Sequence, residues 1–205
     1  MKFKGMEKVW DLMVLNVLFL LCSLPVVTIG PAATAMHYAL RRWREQQGEI
    51  VKDFFRSFRQ NFRQGLILWL VFLALGALIG WNFWLISNWT GMLYSVLMVV
   101  LLLAAYLLLV WVSMVFPLLA RFENTTPRMA KNALLLALAS PLRSFAAAAL
   151  NVLPFLLAAV LPELFVVVSA AWLLLLCGVS GFLAQLLFAP VFDRIGIARA
   201  HEGSG

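Results

Sequence analysis

The chain has 205 residues, of which 64% are hydrophobic and 12% charged, with a formal net charge of +7. Soluble domains carry roughly 25% charged residues, so the composition excludes an ordinary soluble protein and fits one compact membrane domain. The surplus cations sit at the ends of apolar runs, which points to topology and anionic headgroups and away from nucleic acid.

Residues 1–47 open with Lys2, Lys4 and Lys8 and enter the apolar stretch Val9–Val27. Glu7 and Asp11 dilute the basic start, so the segment reads as a retained helix and not a cleaved signal. Pro25 and Gly30-Pro31 break it, and Pro31 suits the first turn of a second helix, Pro31–Trp43. That helix is built of small residues (Ala32, Ala33, Thr34, Ala35, Ala39) that permit close packing. A lone crossing by Val9–Val27 would place the basic N-terminus and the basic stretch Arg41–Arg63 on opposite sides, against the positive-inside rule. A return through the membrane over Pro31–Leu40 removes the conflict, and residues 1–47 are expected to form a broken helical hairpin. The alternative is five crossings with the N-terminus outside. The break frees carbonyls near Pro25 and amides at the start of the Pro31 helix, which Thr28 is placed to cap. Asn16, Pro25, Thr28, Gly30, Pro31 and Thr34 form this broken-helix motif, either a packing device or a contact for a solute hydroxyl or a partner's carbonyl.

Residues 49–64 have a different pattern. Val51, Phe55, Phe58 and Phe62 recur at spacing 4-3-4, and Lys52, Arg56, Arg59 and Arg63 follow each by one residue. An aromatic face beside a cationic face predicts a helix lying in the headgroup layer. Its simplest role is an anchor that feeds Leu66 into the bilayer. As a docking helix, it would use Phe54, Phe55, Arg56, Phe58, Arg59, Asn61, Phe62 and Arg63.

Between Arg63 and Arg121 lie fifty-seven residues without a charge. Leu66–Ile86 and Met92–Ala120 each exceed the ~20 apolar residues that a helix needs to cross a bilayer, and the polar turn Ser87–Gly91 joins them, so residues 66–120 read as a transmembrane hairpin. Gly76-x-x-x-Gly80 fits a close helix contact. Residues 122–192 read as an interfacial segment through Arg143, then the hairpin Phe145–Leu161 and Leu164–Ala189, with a kink at Pro154. Residues 193–205 read as a cytoplasmic tail. Pro117-x-x-x-Arg121 and Pro190-x-x-x-Arg194 hint at a parallel repeat of the sort found in transporters. The expected fold is all-α: a polytopic bundle of six helices in three hairpins plus an interfacial amphipathic helix, both termini cytoplasmic.

Catalytic patterns are not found. Asp11, Glu45, Glu49, Asp53, Glu123 and Glu163 all lie at segment ends or in loops, and no His-Glu-x-x-His zinc pattern occurs. No catalytic residue, metal site or cofactor is therefore expected. Cys22 and Cys177 read as small buried hydrophobes. What remains is about one polar residue per helix: with Asn16, these are His37, Asn82, Asn151 and Gln185. They read as interhelical hydrogen-bonding groups worth ~0.6 kcal/mol each, or, in the second reading, as the lining of a small-solute channel or transporter.

Asn16-x8-Pro25-Val-Val-Thr28-Ile-Gly30-Pro31-Ala-Ala-Thr34-Ala35, followed by Asp53-Phe-Phe-x-x-Phe58-x-x-Asn61-Phe62, resembles the YesL-like family of bacterial integral membrane proteins. The resemblance implies a multi-pass protein of the bacterial cytoplasmic membrane that accompanies carbohydrate uptake systems, oligosaccharide ABC importers above all. The expected function is that of a non-enzymatic accessory protein. Its expected partners are the lipid bilayer, importer permease subunits and a second copy of the chain.

Overall fold

The computed structural model of the protein describes residues 3–46, 48–160, 183, 186–188 and 190. Every regular element among them is helical, as expected. In chain order these are α1 (Phe3–Ser23), a short 3-10 turn (Val26–Thr28), α2 (Ile29–Arg44), α3 (Ile50–Ile86), α4 (Met92–Leu119), α5 (Thr126–Ala139) and α6 (Pro141–Val160). The expected Leu164–Ala189 helix, the Pro190 half of the repeat and the tail fall outside the described residues or nearly so.

The largest departure is α3. The amphipathic stretch 49–64 is not a separate interfacial element. It continues without a break into the apolar stretch to make one helix of 37 residues, roughly 55 Å long at 1.5 Å per residue. Proline, which could enforce a sharp turn, does not occur between Ile50 and Ile86. Gly65, where the break was expected, is buried inside the helix. A hydrocarbon core is only ~30 Å thick, so about half of α3 extends beyond it. Trp81, Trp84 and Trp89 are exposed at the far end, where tryptophans anchor spans at the membrane interface. Arg63 lies 21 residues before Trp84, about 31 Å along the helix and close to one hydrocarbon thickness. The apolar segment therefore fits the bilayer and Ile50–Gln64 projects from it.

Among the described residues, α3 and α4 are the two helices long and apolar enough to cross a membrane. Their distal halves are inside out by soluble standards, with Leu78, Val99, Leu102 and Leu103 all more than half exposed, as lipid-facing side chains should be. The protein-packed region lies at the other end. One core joins Leu68 of α3, residues 110–119 of α4, Met129, Ala133 and Ala137 of α5, and Ala147 and Ala148 of α6. A second joins Leu15 of α1, Ala32, Ala35, Met36, Ala39 and Leu40 of α2, and Ile50 and Phe54 of α3.

Of the third expected hairpin, Phe145–Leu161 corresponds to α6, and Leu164–Ala189 lies almost wholly outside the described residues. The segment after Arg121 contains α5, whose Met129, Ala133 and Ala137 repeat every fourth residue and bury one face. Trp111 Nε1 donates to Ala130 O at 3.0 Å, tying α4 to it. At Ser140 the chain turns by 107° into α6, because a residue before proline is pushed out of the helical region; Ser140 has φ −133° and ψ 64°. The α5–α6 pair thus forms one broken span or a re-entrant loop, which brings the possible crossings among the described residues to three.

Candidate functional site

α1 and α2 form an antiparallel hairpin: Trp43 Nε1 donates to Asp11 Oδ2 at 3.0 Å near one end, and Thr28 Oγ1 lies 2.6 Å from Cys22 O at the other. What the hairpin packs against differs from expectation. It lies along residues 50–69 of α3, the charged end and the first turn of the apolar span. The reason is a backbone-to-backbone crossing. A Cβ on Gly30 would meet Gly65 O and lie 2.6 Å from Trp69 Cβ, while one on Gly65 would lie 2.9 Å from Pro31 Cα. Only two glycines allow this approach. Among the described residues, an added Cβ at Gly76 would touch Leu108 at 3.9 Å and one at Gly80 would meet nothing within 4 Å, so no such close contact is seen at Gly76-x-x-x-Gly80 within them.

The same crossing settles the chemistry of the broken-helix motif. Thr28 stands at the N-cap of α2 but makes no side-chain cap. Its hydroxyl is instead 2.6 Å from Cys22 O and 2.7 Å from Pro25 O, so it serves the carbonyls released at the end of α1. Trp69 Nε1 takes another, donating to Val26 O at 2.7 Å. Thr34 Oγ1 donates to Gly30 O at 3.0 Å, and Asn16 is fully buried in α1. Pro31 lies against Gly65. The carbonyls near Pro25 that were available to a ligand on paper are thus occupied by the protein's own donors. These contacts fit the packing alternative for the motif.

At the opposite end of α2, Arg42 Nε donates to Asp53 Oδ2 at 3.1 Å, with the Asp53 side chain nearly buried. This hydrogen bond and the carboxylate's charge raise the Arg42 pKa. The hairpin is therefore held to α3 by a glycine crossing at one end and an ion pair at the other.

The eight expected docking residues divide into three groups. Phe54 is wholly buried and stacks on Phe58, with centroids 6.1 Å apart. Phe58 packs against the second core and meets Phe62 edge-on at 5.4 Å. Phe55 and Phe62 are exposed, as is Val51. Arg56, Arg59 and Arg63 are also exposed, and none of the three forms an ion pair among the described residues. Lys52 pairs with Glu49 in the solvent-exposed first turn. Asn61 turns its amide onto its own helix, donating to Ser57 O and Oγ. The aromatic stripe thus splits: Phe54 and Phe58 serve the core, while Val51, Phe55 and Phe62 remain uncovered beside the cations. On neighbouring α1, Trp10, Met13, Val17 and Leu21 form another exposed apolar stripe.

Asn16 and His37 are buried in the α1–α2 region, whereas Asn82 lies near the tryptophan end of α3 and donates to Leu78 O of its own helix at 2.8 Å. Asn82 is partly exposed, and among the described residues α4 flanks that half of α3. The two ends are some 25 Å apart along α3, so Asn16, His37 and Asn82 share no cavity. The side chains of Asn151 and Gln185 lie outside what the structure describes.

A feature that sequence reasoning missed is a polar cleft of about 560 Å³ between α2, α3 and the end of α4. Arg41, Arg63 and Arg121 line it, with Gln60 and Asn61 beside them. Gln64 Nε2 closes its floor by donating to Asn124 O at 2.9 Å. An apolar groove of about 250 Å³, walled by Leu118, Met129, Leu135 and Leu136, adjoins it through Phe122 and Asn124. Part of this was legible. Arg63 and Arg121 bracket the uncharged stretch, and a hairpin must return both to one membrane face. The basic stretch Arg41–Arg63 put Arg41 on the same face, but its place beside Arg63 and Arg121 follows from the α2–α3 packing.

A family model described as a protein of unknown function, DUF624, matches residues 12–83. The match begins in α1 and takes in α2 and nearly all of α3, including both sides of the glycine crossing. No curated protein and no solved structure matches the chain.

Proposed function

We propose that this is an integral membrane accessory protein that engages a membrane partner through the projecting half of α3 and the adjoining face of α1. The observation carrying this reading is the continuity of α3. A helix lying flat in the headgroup layer would bury Val51, Phe55 and Phe62 in lipid by itself. A segment continuous with a bilayer-crossing helix cannot do so, and uncovered apolar area of this kind beside cations marks an interaction surface. The resemblance of the Asn16–Ala35 and Asp53–Phe62 stretches to the YesL-like family makes a carbohydrate ABC importer permease the expected partner, in the bacterial cytoplasmic membrane with both termini on the cytoplasmic side.

The test is gentle solubilisation of the tagged protein from host cells grown on different carbon sources, with identification of stoichiometric partners. Wild type should retain importer permease subunits. A Val51→Ser, Phe55→Ser, Arg56→Gln variant should lose them while still inserting in the membrane. Phe58 is left intact, because its packing makes any change there a folding defect. Full retention of the permease by the triple variant refutes the docking role, and recovery of the protein alone under all conditions refutes the accessory reading.

A further inference from the structure

The geometry points to the cleft between α2, α3 and the end of α4 as a binding site for an anionic phospholipid, with the headgroup phosphate on Arg41, Arg63 and Arg121 and an acyl chain in the adjoining groove. This site adjoins the docking face, sharing Asn61 and Arg63 with the expected docking helix, and needs no protein partner.

Three observations carry it. The first is charge. Three arginines line the cleft, Arg41 on α2, Arg63 on α3 and Arg121 two residues past the end of α4, with Glu123 as the carboxylate in the lining. Arg63 is exposed and forms no ion pair among the described residues. Arg41 is only loosely engaged, with Nη1 4.0 Å from Glu45 and its guanidinium 5.4 Å from the Tyr38 ring centre, and its buried Nε has no hydrogen-bond acceptor among the described residues. A buried donor without an acceptor is costly, and an arginine fork suits a phosphate's paired oxygens better than a point charge does. An anion here would satisfy both requirements.

The second observation is position. Arg63 precedes the apolar stretch of α3 and Arg121 directly follows that of α4. The cleft they share therefore lies at the level where α3 and α4 leave the hydrocarbon, which is where headgroup phosphates are found. Basic pockets between membrane helices at this depth suit anionic headgroups.

The third is shape. The polar cleft, at about 560 Å³, is within the ~300–1,000 Å³ of small-molecule sites. The groove beyond Phe122 and Asn124 is walled mainly by Leu118, Met129, Leu135 and Leu136. A free phosphate would have no use for that groove, whereas a diacyl phospholipid fills both halves.

The experiment is thermal unfolding of the purified full chain in detergent with added dioleoylphosphatidylglycerol, dioleoylphosphatidylcholine or inorganic phosphate. Phosphatidylglycerol should raise the midpoint saturably, and phosphatidylcholine and inorganic phosphate should not. Arg41→Gln and Arg63→Gln should each raise the half-saturating lipid concentration about tenfold, the loss of one charge-assisted contact. Leu135→Gln, at an exposed groove position, should raise it too while leaving the lipid-free midpoint near wild type. Equal effects of the two lipids, or an unchanged half-saturation in the Arg41→Gln, Arg63→Gln double variant, would overturn the site. Stabilisation by inorganic phosphate equal to that by phosphatidylglycerol would overturn the lipid assignment.

Discussion

Replacing Gly65 with alanine sets two effects of known sign against each other. In the interior of a helix, alanine is favoured over glycine by about 1 kcal/mol, so a Gly65→Ala variant gains that much from propensity. The added Cβ, however, would stand 2.9 Å from both Pro31 Cα and Pro31 N and 3.2 Å from Gly30 C. Carbon atoms settle at about 3.5–4.0 Å, so α2 must retreat by at least about 0.6 Å. The obstructing atoms are backbone, and no side chain can rotate away. Overpacking of this kind costs about 1–3 kcal/mol, and the rigid contact puts Gly65 at the upper end. The expected net loss is about 2 kcal/mol, or about 4–8 °C for a chain of this size. Gly80→Ala in the same helix is the control, since its Cβ meets nothing within 4 Å and it receives the propensity gain alone. Unfolding in detergent, followed by tryptophan fluorescence, should place Gly65→Ala well below wild type and Gly80→Ala at or slightly above it. If Gly65→Ala melts no lower than Gly80→Ala, the glycine crossing does not hold α2 on α3 and the packing argument fails.

Two further variants probe the α1–α2 connection. Thr28→Val keeps the side-chain volume but removes the donor that serves Cys22 O and Pro25 O; it should cost about 1 kcal/mol, with Thr28→Ser restoring most of it, and equal melting of the valine and serine variants would show that the hydroxyl contributes nothing. Trp69→Phe preserves an aromatic ring against Phe72, whose centroid lies 5.0 Å from that of Trp69, but leaves Val26 O without its indole donor; amide exchange should accelerate over residues 24–28, and unaltered exchange there would assign the Trp69 contribution to packing alone.

Much of this molecule follows from its amino-acid order, because bilayer transfer free energy is a nearly local property. Leu66–Ile86 and Met92–Ala120 are helices in lipid for reasons that involve no other part of the chain: each is long enough, uncharged and able to satisfy its own backbone. The helix over Pro31–Trp43 was legible from Pro31 and its run of alanines, and the 4-3-4 spacing set Val51, Phe55, Phe58 and Phe62 on one face beside the cations. Periodicity states which residues share a face; it does not state what that face meets. Phe54 and Phe55 are neighbours of identical chemistry, yet one is buried and the other 40% exposed, because α2 approaches from one side only. Thr28 had two sets of backbone partners within reach, and the height at which α1 ends selected the carbonyls. The continuity of α3 through Gly65 was likewise undecidable locally, since a glycine there could end a helix, and only the Gly30 backbone pressed against it shows why this one does not. Arg41, Arg63 and Arg121 are far apart in sequence and meet through the α2–α3 crossing and the return of the hairpin, a consequence of tertiary packing that hydropathy along the chain does not encode.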